Sequence, residues 1–238
     1  ACQLAGGDTA AAADYAAALE MLHCYSLIHD DMPCMDNDDY RRGRLSCHKQ
    51  YGEATALLAA DALVTAAFEA VANAPTHPQS RVQAAAHLAK AAGARGMLYG
   101  QELDKHYETV YASESELLEL HAHKTGALII AGVDLGCDAA QADDALCTAL
   151  QHYAAELGLV FQIVDDILDV TATTEELGKP VGSDAENDKT TFITLYGLEG
   201  ARSLAKQHND AALAALADLG PEADFLREMA VELLTRSK

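Results

Sequence analysis

Apolar residues recur with the period of an α-helix along most of the chain, and short polar stretches interrupt them. In residues 9–31, leucines and the small residues between them are spaced so that they line one buried face of a helix. Asp8 or Thr9 is suited to cap its first turn. Pro33 disfavours helical geometry in the residue before it, so this helix is predicted to end or kink there.

Further helices are predicted in the rest of the chain, and glycine, proline and polar clusters separate them. The sequence "SESE" at residues 113–116 supplies a capping box for one of them. Residues 36–51 and 173–188 lack the helical period and are predicted to be polar loops. The remaining helices are predicted over residues 52–74, 80–107, 113–135, 142–170, 189–218 and 222–235.

Composition also favours helix over sheet, because alanine and leucine are abundant and tryptophan is absent. The chain has 238 residues, of which 50% are hydrophobic, and this content suffices for one sizeable core. No run of eighteen or more consecutive apolar residues occurs, so no membrane span is expected. We therefore predict a single all-α domain over residues 1–238, built of long helices.

Net charge restricts the partners of this protein, because 37 acidic and 16 basic residues give a formal charge of −21. Such a surface repels nucleic acid and anionic lipid, and an anionic small substrate would need cations that screen the carboxylates. The six cysteines include no CxxC spacing, which is typical of reduced thiols in the cytosol. Cys47 and His48 adjoin, but no second ligand pair has the spacing of a zinc site.

The helix predicted over residues 142–170 ends in the aspartate cluster "DDILD". Asp165 and Asp169 are four residues apart and therefore share a helix face, and Asp166 lies beside them. Like charges at this spacing destabilise a helix, which suggests that a divalent cation compensates them. Carboxylate oxygens suit Mg²⁺, which usually keeps some waters and takes further ligands from a substrate phosphate.

A second concentration of charge follows the first helix, where five aspartates lie between Asp30 and Asp39. Asp36 lies beyond the proline, so a local loop is needed to return it to the helix end. A Ca²⁺-binding EF-hand is a poor match, because Tyr40 would fall at a ligand position. Two carboxylate sites bridged by Mg²⁺, with basic side chains around them, would bind a diphosphate. The apolar faces of the helices would bind a hydrocarbon chain. The basic residues are Arg41, Arg42, Lys124, Lys179 and Lys189.

Five ordered motifs extend over almost the whole chain: "DDMPCMD" followed by "RRG", then "GQELD", "HKTGAL", "FQIVDDILD" and "LGKPVGSDAENDKTTF". With these motifs the chain resembles the trans-prenyltransferases, or isoprenyl diphosphate synthases, and most closely the bacterial farnesyl diphosphate synthases. The resemblance implies the isoprenoid synthase fold, an all-α bundle or barrel of long helices around a central cavity. It also implies a homodimer. A cytoplasmic location is expected from the cysteines, and no stable membrane anchor is expected because the sequence has no long apolar run.

The resemblance implies three Mg²⁺ ions in each active site, for which Mn²⁺ is an alternative. Two of them would be held after the first helix and the third by the later cluster, with further carboxylates nearby. These metal-binding residues are Asp30, Asp31 and Asp36 for the first two ions, Asp165 for the third, and Asp104 and Asp169 beside them.

Cations and polar side chains are assigned to the two diphosphates by the same resemblance. Arg42 and His23 match positions that bind isopentenyl diphosphate, and His23 lies on the same helical stripe as Asp30. Gln101 belongs to a polar motif that faces the metals. The allylic diphosphate would be bound by Arg41, Lys124, Lys179 and Lys189.

The implied reaction is the head-to-tail condensation of isopentenyl diphosphate with dimethylallyl or geranyl diphosphate, which gives farnesyl diphosphate and releases diphosphate. Lys124 would bind the leaving group, while the dipoles of Thr125 and Gln162 stabilise the allylic carbocation. Tyr25 and Ser26 match positions that form the floor of the product tunnel. In the resembling family, a bulky residue at the deeper position goes with a fifteen-carbon product.

Several alternatives stay open at this point. Geranylgeranyl or geranyl diphosphate synthesis would need only a different tunnel depth. A terpene cyclase of the same fold normally mixes Asn, Ser or Thr and Glu in its second metal site, unlike "DDILD", and a non-catalytic acidic protein predicts scattered acids. The family's first helices also carry a Gly-Lys pair and an arginine that this chain lacks, so we expect native N-terminal helices upstream of Ala1.

Overall fold

The computed structural model describes residues 1–171 and 189–236, and helices make up most of them. The all-α class predicted from the sequence is confirmed. Within those residues one two-stranded antiparallel hairpin is present, formed by β1 (Tyr40–Arg41) and β2 (Arg44–Leu45).

The helix boundaries agree with the sequence pattern at both ends of the first helix. Asp8 caps it, because its carboxylate accepts a hydrogen bond of 2.9 Å from the Ala10 amide.

The described helices are α1 (Thr9–Asp30), α2 (Cys47–Tyr51), α3 (Glu53–Asn73), α4 (Pro78–Ala92), α5 (Met97–Tyr107), α6 (Glu114–His121), a π-helical turn (Ala122–Gly126), α7 (Ala127–Ala140), α8 (Asp144–Thr171), α9 (Phe192–Ala215), a 3₁₀ turn (Pro221–Ala223) and α10 (Asp224–Thr235).

Contacts within the chain group its residues into two compact units. The N-terminal unit comprises Cys2–Ala89 and Asp134–Ala142, and the C-terminal unit comprises Ala1, Lys90–Val133 and Asp143–Lys238. The single domain expected over the whole chain stays a prediction.

The N-terminal unit is built on the packing of α1 against α3. Tyr15, Ala18 and Leu22 are buried on one face of α1, at the spacing of successive helical turns. The buried residues of α3 are mainly alanines, whose small side chains allow two helices to approach closely. The Tyr15 hydroxyl also lies 2.6 Å from Thr76 Oγ1, which ties α1 to the chain that follows α3.

Helix α3 is, within the described parts of the chain, the one helix whose length and composition would allow it to cross a membrane. The indication is weak, because the core helices of water-soluble proteins pass the same test. Leu57 and Leu58 are exposed on this helix, while Ala56 and Ala60 are buried.

The C-terminal unit has its core along α8, which packs against α9. Val160, Ile163 and Val164 are buried on α8, and Phe192 and Ala201 meet them from α9. Because these side chains are buried, α8 is held in one orientation. The aspartates that follow them in the sequence then lie at one end of this core.

Three of the predicted long helices are interrupted. The helix expected over residues 189–218 has a kink inside α9 at Gly197, whose φ of 68° and ψ of 171° are not helical. The helix expected over residues 80–107 is divided into α4 and α5, with Gly96 between them, where a Cβ would collide with the Ala91 carbonyl oxygen. The helix expected over residues 113–135 begins at the predicted capping box but contains the π-helical turn. Such turns occur frequently at functional sites, and here the turn contains Lys124.

The residues predicted as a loop over 36–51 contain the hairpin and α2. Two residues, Arg42 and Gly43, connect the strands, and both have positive φ values of 52° and 75°. This conformation is that of a two-residue turn whose twist matches the strands, and it is unusual for a residue with a side chain. The loop predicted over residues 173–188, including Lys179, lies outside the described residues.

Replacing Gly100 of α5 by alanine is expected to destabilise the protein. A Cβ at this position would collide with the backbone N and Cα of Lys124, and neither can move as a flexible side chain would. Helix propensity alone would stabilise the variant by about 1 kcal/mol, but overpacking typically costs about 1–3 kcal/mol. Urea unfolding should therefore give a lower midpoint than for Glu102→Ala, an exposed change on the same helix. Equal urea midpoints for the two variants would show that α5 and the backbone of Lys124 can move apart without a loss of stability.

Candidate functional site

The turn after α1 brings the first aspartate motif back on itself. The Asp31 amide donates to the Leu27 carbonyl, and the Asp36 amide then donates to the Asp30 carbonyl at 2.9 Å. Pro33 lies between them and ends the helix, as its missing N–H requires. The local loop that the sequence required for Asp36 is therefore present.

Asp31 and Arg41 form a close ion pair at the base of this turn. Arg41 Nε lies 2.8 Å and 2.9 Å from the two carboxylate oxygens, and Nη2 lies 2.6 Å from Oδ1. Asp31 is 2% exposed, so its charge needs such a partner. The hydrogen bonds to Asp31 raise the pKa of Arg41 despite its partial burial. The structure thus assigns Asp31 a role in holding Arg41, while its predicted contact with metal stays a prediction.

Negative charge is concentrated in the remainder of the turn. The pKa of Asp38 is raised by partial desolvation and by the neighbouring carboxylates Asp36 and Asp31, with Arg41 acting in the opposite direction. Asp36 is exposed and Asp30 is half-buried. The negative charges of these carboxylates repel one another. Their oxygens are hard ligands of the kind that Mg²⁺ prefers.

The residues predicted to bind isopentenyl diphosphate lie on α1 and at the hairpin tip. Arg42 is exposed in the two-residue turn, and His23 is half-buried on α1. Seven residues separate His23 from Asp30, which places them on one stripe of the helix.

The two residues predicted to limit product length are both buried. Tyr25 is 5% exposed, and its ring makes an edge contact with His29 at 5.5 Å between centroids. Burial, and secondarily the charge of Asp30, raises the pKa of Tyr25, so the phenol stays neutral. The Ser26 hydroxyl donates to the His23 carbonyl at 2.8 Å, so its polar group is satisfied within α1.

In the C-terminal unit, a cavity of about 160 Å³ is lined by both carboxylates and lysines. Lys124 Nζ lies 2.6 Å from Asp104 Oδ2, and Lys189 Nζ lies 3.8 Å from the same oxygen. Burial acts to raise the pKa of Asp104, but the two lysines outweigh it and lower the pKa. Asp104 therefore holds these lysines in place as an anion, and its predicted role toward a metal stays a prediction.

Glu108 is a member of this network that sequence reasoning missed. It lies 2.6 Å from Lys105 and 3.7 Å from Lys189, one helical turn after Asp104. The spacing of four residues along "DKHYE" could have indicated it. Lys189 thus lies near one carboxylate at the end of α5 and another just after it, and it supplies positive charge at the cavity.

Thr125, within the π-helical turn, and Gln162 are hydrogen-bonded to each other, and their predicted role toward a carbocation stays a prediction. Thr125 Oγ1 donates to Gln162 Oε1 at 3.3 Å, and Gln162 lines the cavity. Gly158, one turn before Gln162, would have a Cβ only 3.3 Å from Gly126 Cα, so the absence of a side chain allows this close approach. Gln101 is half-buried on α5, next to Gly100, which lies against Lys124.

The second aspartate motif divides into three different environments. Asp165 has a side chain that is 43% exposed, lines the cavity and lies 3.3 Å from Arg236 Nη2. Asp166 is buried and accepts a hydrogen bond from the Phe192 amide, while Asp169 is 3% exposed. Arg236 also lies over the Phe161 ring, 4.3 Å from its centroid. The carboxylate of Asp165 is accessible to a metal from the cavity, and sequence reasoning did not indicate its arginine partner.

His121 is another cavity residue that the sequence did not single out. Its ring stacks on Phe192 with 5.4 Å between centroids, and its buried Nδ1 has no hydrogen-bond partner among the described residues. Burial lowers the pKa of His121 to about 4. The charge of Lys124 also lowers this pKa, while the charge of Asp104 acts to raise it. The imidazole is therefore neutral at physiological pH.

Comparison with known proteins identifies the family. Residues 1–220 match the model of the polyprenyl synthetase family. The chain belongs to this family. It is 42% identical to the farnesyl diphosphate synthase of Micrococcus luteus over 98% of this chain and 80% of that protein. It is also 44% identical to the chloroplastic geranylgeranyl pyrophosphate synthase of Catharanthus roseus, over 93% of this chain and 63% of that protein.

A solved structure agrees with these relationships. The geranyltransferase of Helicobacter pylori, complexed with magnesium and isoprenyl diphosphate, is 40% identical and superposes with a TM-score of 0.82. That match covers 93% of this chain and 73% of the other. The resemblance to the prenyltransferases and the isoprenoid synthase fold, both expected from the sequence, are confirmed.

Proposed function

We propose that this polyprenyl synthetase is a farnesyl diphosphate synthase. It condenses isopentenyl diphosphate head to tail with dimethylallyl or geranyl diphosphate in the presence of Mg²⁺. The observation that carries the proposal is the cavity in which the accessible carboxylate of Asp165 and the lysines Lys124 and Lys189 are found together. Carboxylates for a metal and lysines for phosphate oxygens are what a diphosphate needs.

The cations of the chain bind the diphosphates in this reaction. Lys124 and Lys189 exchange part of their interaction with Asp104 for phosphate oxygens, and Arg41 is held in its orientation by Asp31. Lys179, which lies outside the described residues, is proposed to join them. Isopentenyl diphosphate is bound by Arg42 and His23.

Mg²⁺ would be held by aspartates whose oxygens suit a hard cation, with Mn²⁺ as a substitute. When bound, it withdraws charge from the diphosphate leaving group and makes C–O cleavage easier. Three ions are proposed for each active site. The proposed ligands are Asp30, Asp31 and Asp36 in the first aspartate motif and Asp165 in the second, with Asp104, Asp169 and Gln101 supporting them.

Condensation breaks the bond between carbon and oxygen in the allylic substrate and forms one carbon–carbon bond. The C3–C4 double bond of isopentenyl diphosphate supplies the electron pair to the allylic carbocation. A C2 proton then leaves, and the departing diphosphate accepts it. Thr125 and Gln162, which are hydrogen-bonded to each other, are proposed to stabilise the cation through the dipoles of their oxygens. A water-poor cavity would prevent water from capturing the cation.

Product analysis tests this proposal directly. The protein should be incubated with dimethylallyl or geranyl diphosphate, labelled isopentenyl diphosphate and Mg²⁺, and the products sized by mass spectrometry. We expect a fifteen-carbon diphosphate that disappears when a chelator replaces the metal. A hydrocarbon product would identify a terpene cyclase, and the absence of any diphosphate release would favour a non-catalytic acidic protein.

A geranylgeranyl diphosphate synthase is the second candidate, because the plant relative with that name is as similar in sequence as the bacterial one. The same assay separates the two, since a twenty-carbon product would replace the fifteen-carbon one, and a ten-carbon product would indicate geranyl diphosphate synthesis.

The protein is further proposed to act as a cytoplasmic homodimer without a membrane anchor. Light scattering after gel filtration measures the oligomeric state, and a mass near that of one chain would contradict the dimer.

A further inference from the structure

Asp166 is a buried carboxylate that the proposed reaction does not use. Its side chain lies in the middle of the second aspartate motif but is directed to the start of α9, where Oδ2 accepts the Phe192 amide at 2.8 Å. Asp166 is 6% exposed and Phe192 is fully buried. Burying a carboxylate costs free energy unless it is hydrogen-bonded. This hydrogen bond therefore restrains both α8 and the start of α9.

Helix α9 receives two different caps at its first turn. The four first amides of a helix have no partner within it. Thr191 Oγ1 accepts the Thr194 amide at 3.2 Å, in the usual capping arrangement. Asp166 accepts the amide of Phe192, and Thr191 accepts the amide of Thr194, so the two acceptors satisfy different amides of this turn.

Two further contacts fix the residues that lead into α9. Thr190 Oγ1 accepts the Ala112 amide at 3.0 Å, and the Phe192 ring stacks on His121. Together with Asp166, these contacts attach the segment 189–192 to α8, to α6 and to the chain before α6. Lys189 is the first residue of this segment and carries its charge to the cavity.

We propose that Asp166 is a positioning residue, which caps α9 and thereby sets Lys189 at the diphosphate site, rather than a ligand of the metal. The role of Lys189 rests on the proposed function. The position of Lys189 near Asp104 and Glu108, at 3.8 Å and 3.7 Å, depends on where α9 begins. Both neighbouring aspartates border the cavity, but the Asp165 side chain is 43% exposed while Asp166 is 6% exposed and accepts the Phe192 amide.

Substitution by asparagine separates capping from metal binding. In Asp166→Asn the amide oxygen can still accept the Phe192 amide, whereas Asp166→Ala removes the acceptor. Asp165→Asn is the matched comparison, since it makes the same chemical change in the adjacent residue, whose side chain is more exposed.

Amide hydrogen exchange of the metal-free, substrate-free protein is the first measurement. Loss of a hydrogen bond to a charged group should speed exchange at residues 192–195 of Asp166→Ala by about 10- to 100-fold. Exchange in Asp165→Asn should match the unsubstituted protein, with Asp166→Asn between the two. Unchanged exchange in Asp166→Ala would overturn the proposal. This readout does not depend on catalysis, so it remains decisive if the proposed reaction is wrong.

Kinetics with the complete reaction supply the second measurement. We expect Asp166→Asn to raise KM for the allylic diphosphate by less than about tenfold, with an unchanged Mg²⁺ requirement. Asp165→Asn should instead raise the Mg²⁺ concentration needed for half-maximal rate and lower kcat. An Mg²⁺ requirement raised equally by both asparagine variants would show that Asp166 is a metal ligand and would overturn the proposal.

Thr190→Val provides an independent variant if Asp166→Ala fails to fold. It keeps the shape of the side chain and removes the acceptor of the Ala112 amide. A raised KM for the allylic diphosphate with unchanged kcat would support control of Lys189 by this segment. An unchanged KM would contradict it.

Discussion

Alanine at Asp30 or at Asp165 is expected to abolish condensation, with kcat at least about 10³-fold lower at saturating Mg²⁺. Each substitution removes a carboxylate of the proposed metal site, and a neutral side chain cannot replace its charge. Initial rates with geranyl and isopentenyl diphosphate measure the effect. Asp61→Ala and Asp218→Ala are matched controls in the two units, because both residues are exposed and make the same change in charge. Turnover near that of the controls would refute the metal-binding roles.

The same variants should differ in stability without metal. Asp30 adjoins Asp31, and its carboxylate also helps to raise the pKa of Arg41. Its removal relieves repulsion between neighbouring carboxylates at the cost of that attraction, so we expect little net change in stability. Asp165 pairs with Arg236 at a partly exposed position, where an ion pair contributes up to about 1 kcal/mol. Urea unfolding in a chelating buffer is expected to give a lower midpoint for Asp165→Ala than for Asp30→Ala. The reverse order would show that repulsion in the first motif is weak.

Sequence predicted those features that depend on neighbours along the chain. The Asp8 cap, the end of α1 before Pro33 and the capping box at Ser113 each require only a few consecutive residues, and all three are present. The aspartate motifs were likewise evident, because clustered charges at the ends of apolar helices are costly unless they are used. Local chemistry therefore indicated the helices and the candidate residues of the site.

Features that depend on residues distant in sequence could not be predicted in this way. Asp166 and Phe192 are 26 residues apart, and no pattern within either segment indicates that one caps the other. The break before α5 is set by close backbone approach at Gly96, which a helical period does not reveal. The pairing of Asp31 with Arg41 also escaped prediction, because the family resemblance assigned these residues to two different ligands.

Tyr25 and Ser26 provide the prediction with the largest effect on the product. Tyr25 precedes Asp30 by five residues, which corresponds to roughly 7.5 Å along the helix axis, and Ser26 is nearly one turn from Asp30. Both side chains are buried, as the floor of an apolar tunnel requires. Tyr25 lies roughly 140° around the helix from Asp30, so its contact with a growing chain rests on the family resemblance.

Tyr25→Ala should lengthen the product to twenty carbons or more, because it removes the bulk that stops the growing chain. Ser26→Phe should shorten the product to ten carbons, because the larger ring fills the space nearer to Asp30. Products released with excess isopentenyl diphosphate are sized by mass spectrometry, and Cys24→Ala on the same helix should keep the fifteen-carbon product. Because truncation of a buried aromatic residue costs about 3–5 kcal/mol, helicity is checked by circular dichroism. If both folded variants still made fifteen carbons, the floor of the tunnel would have to lie elsewhere.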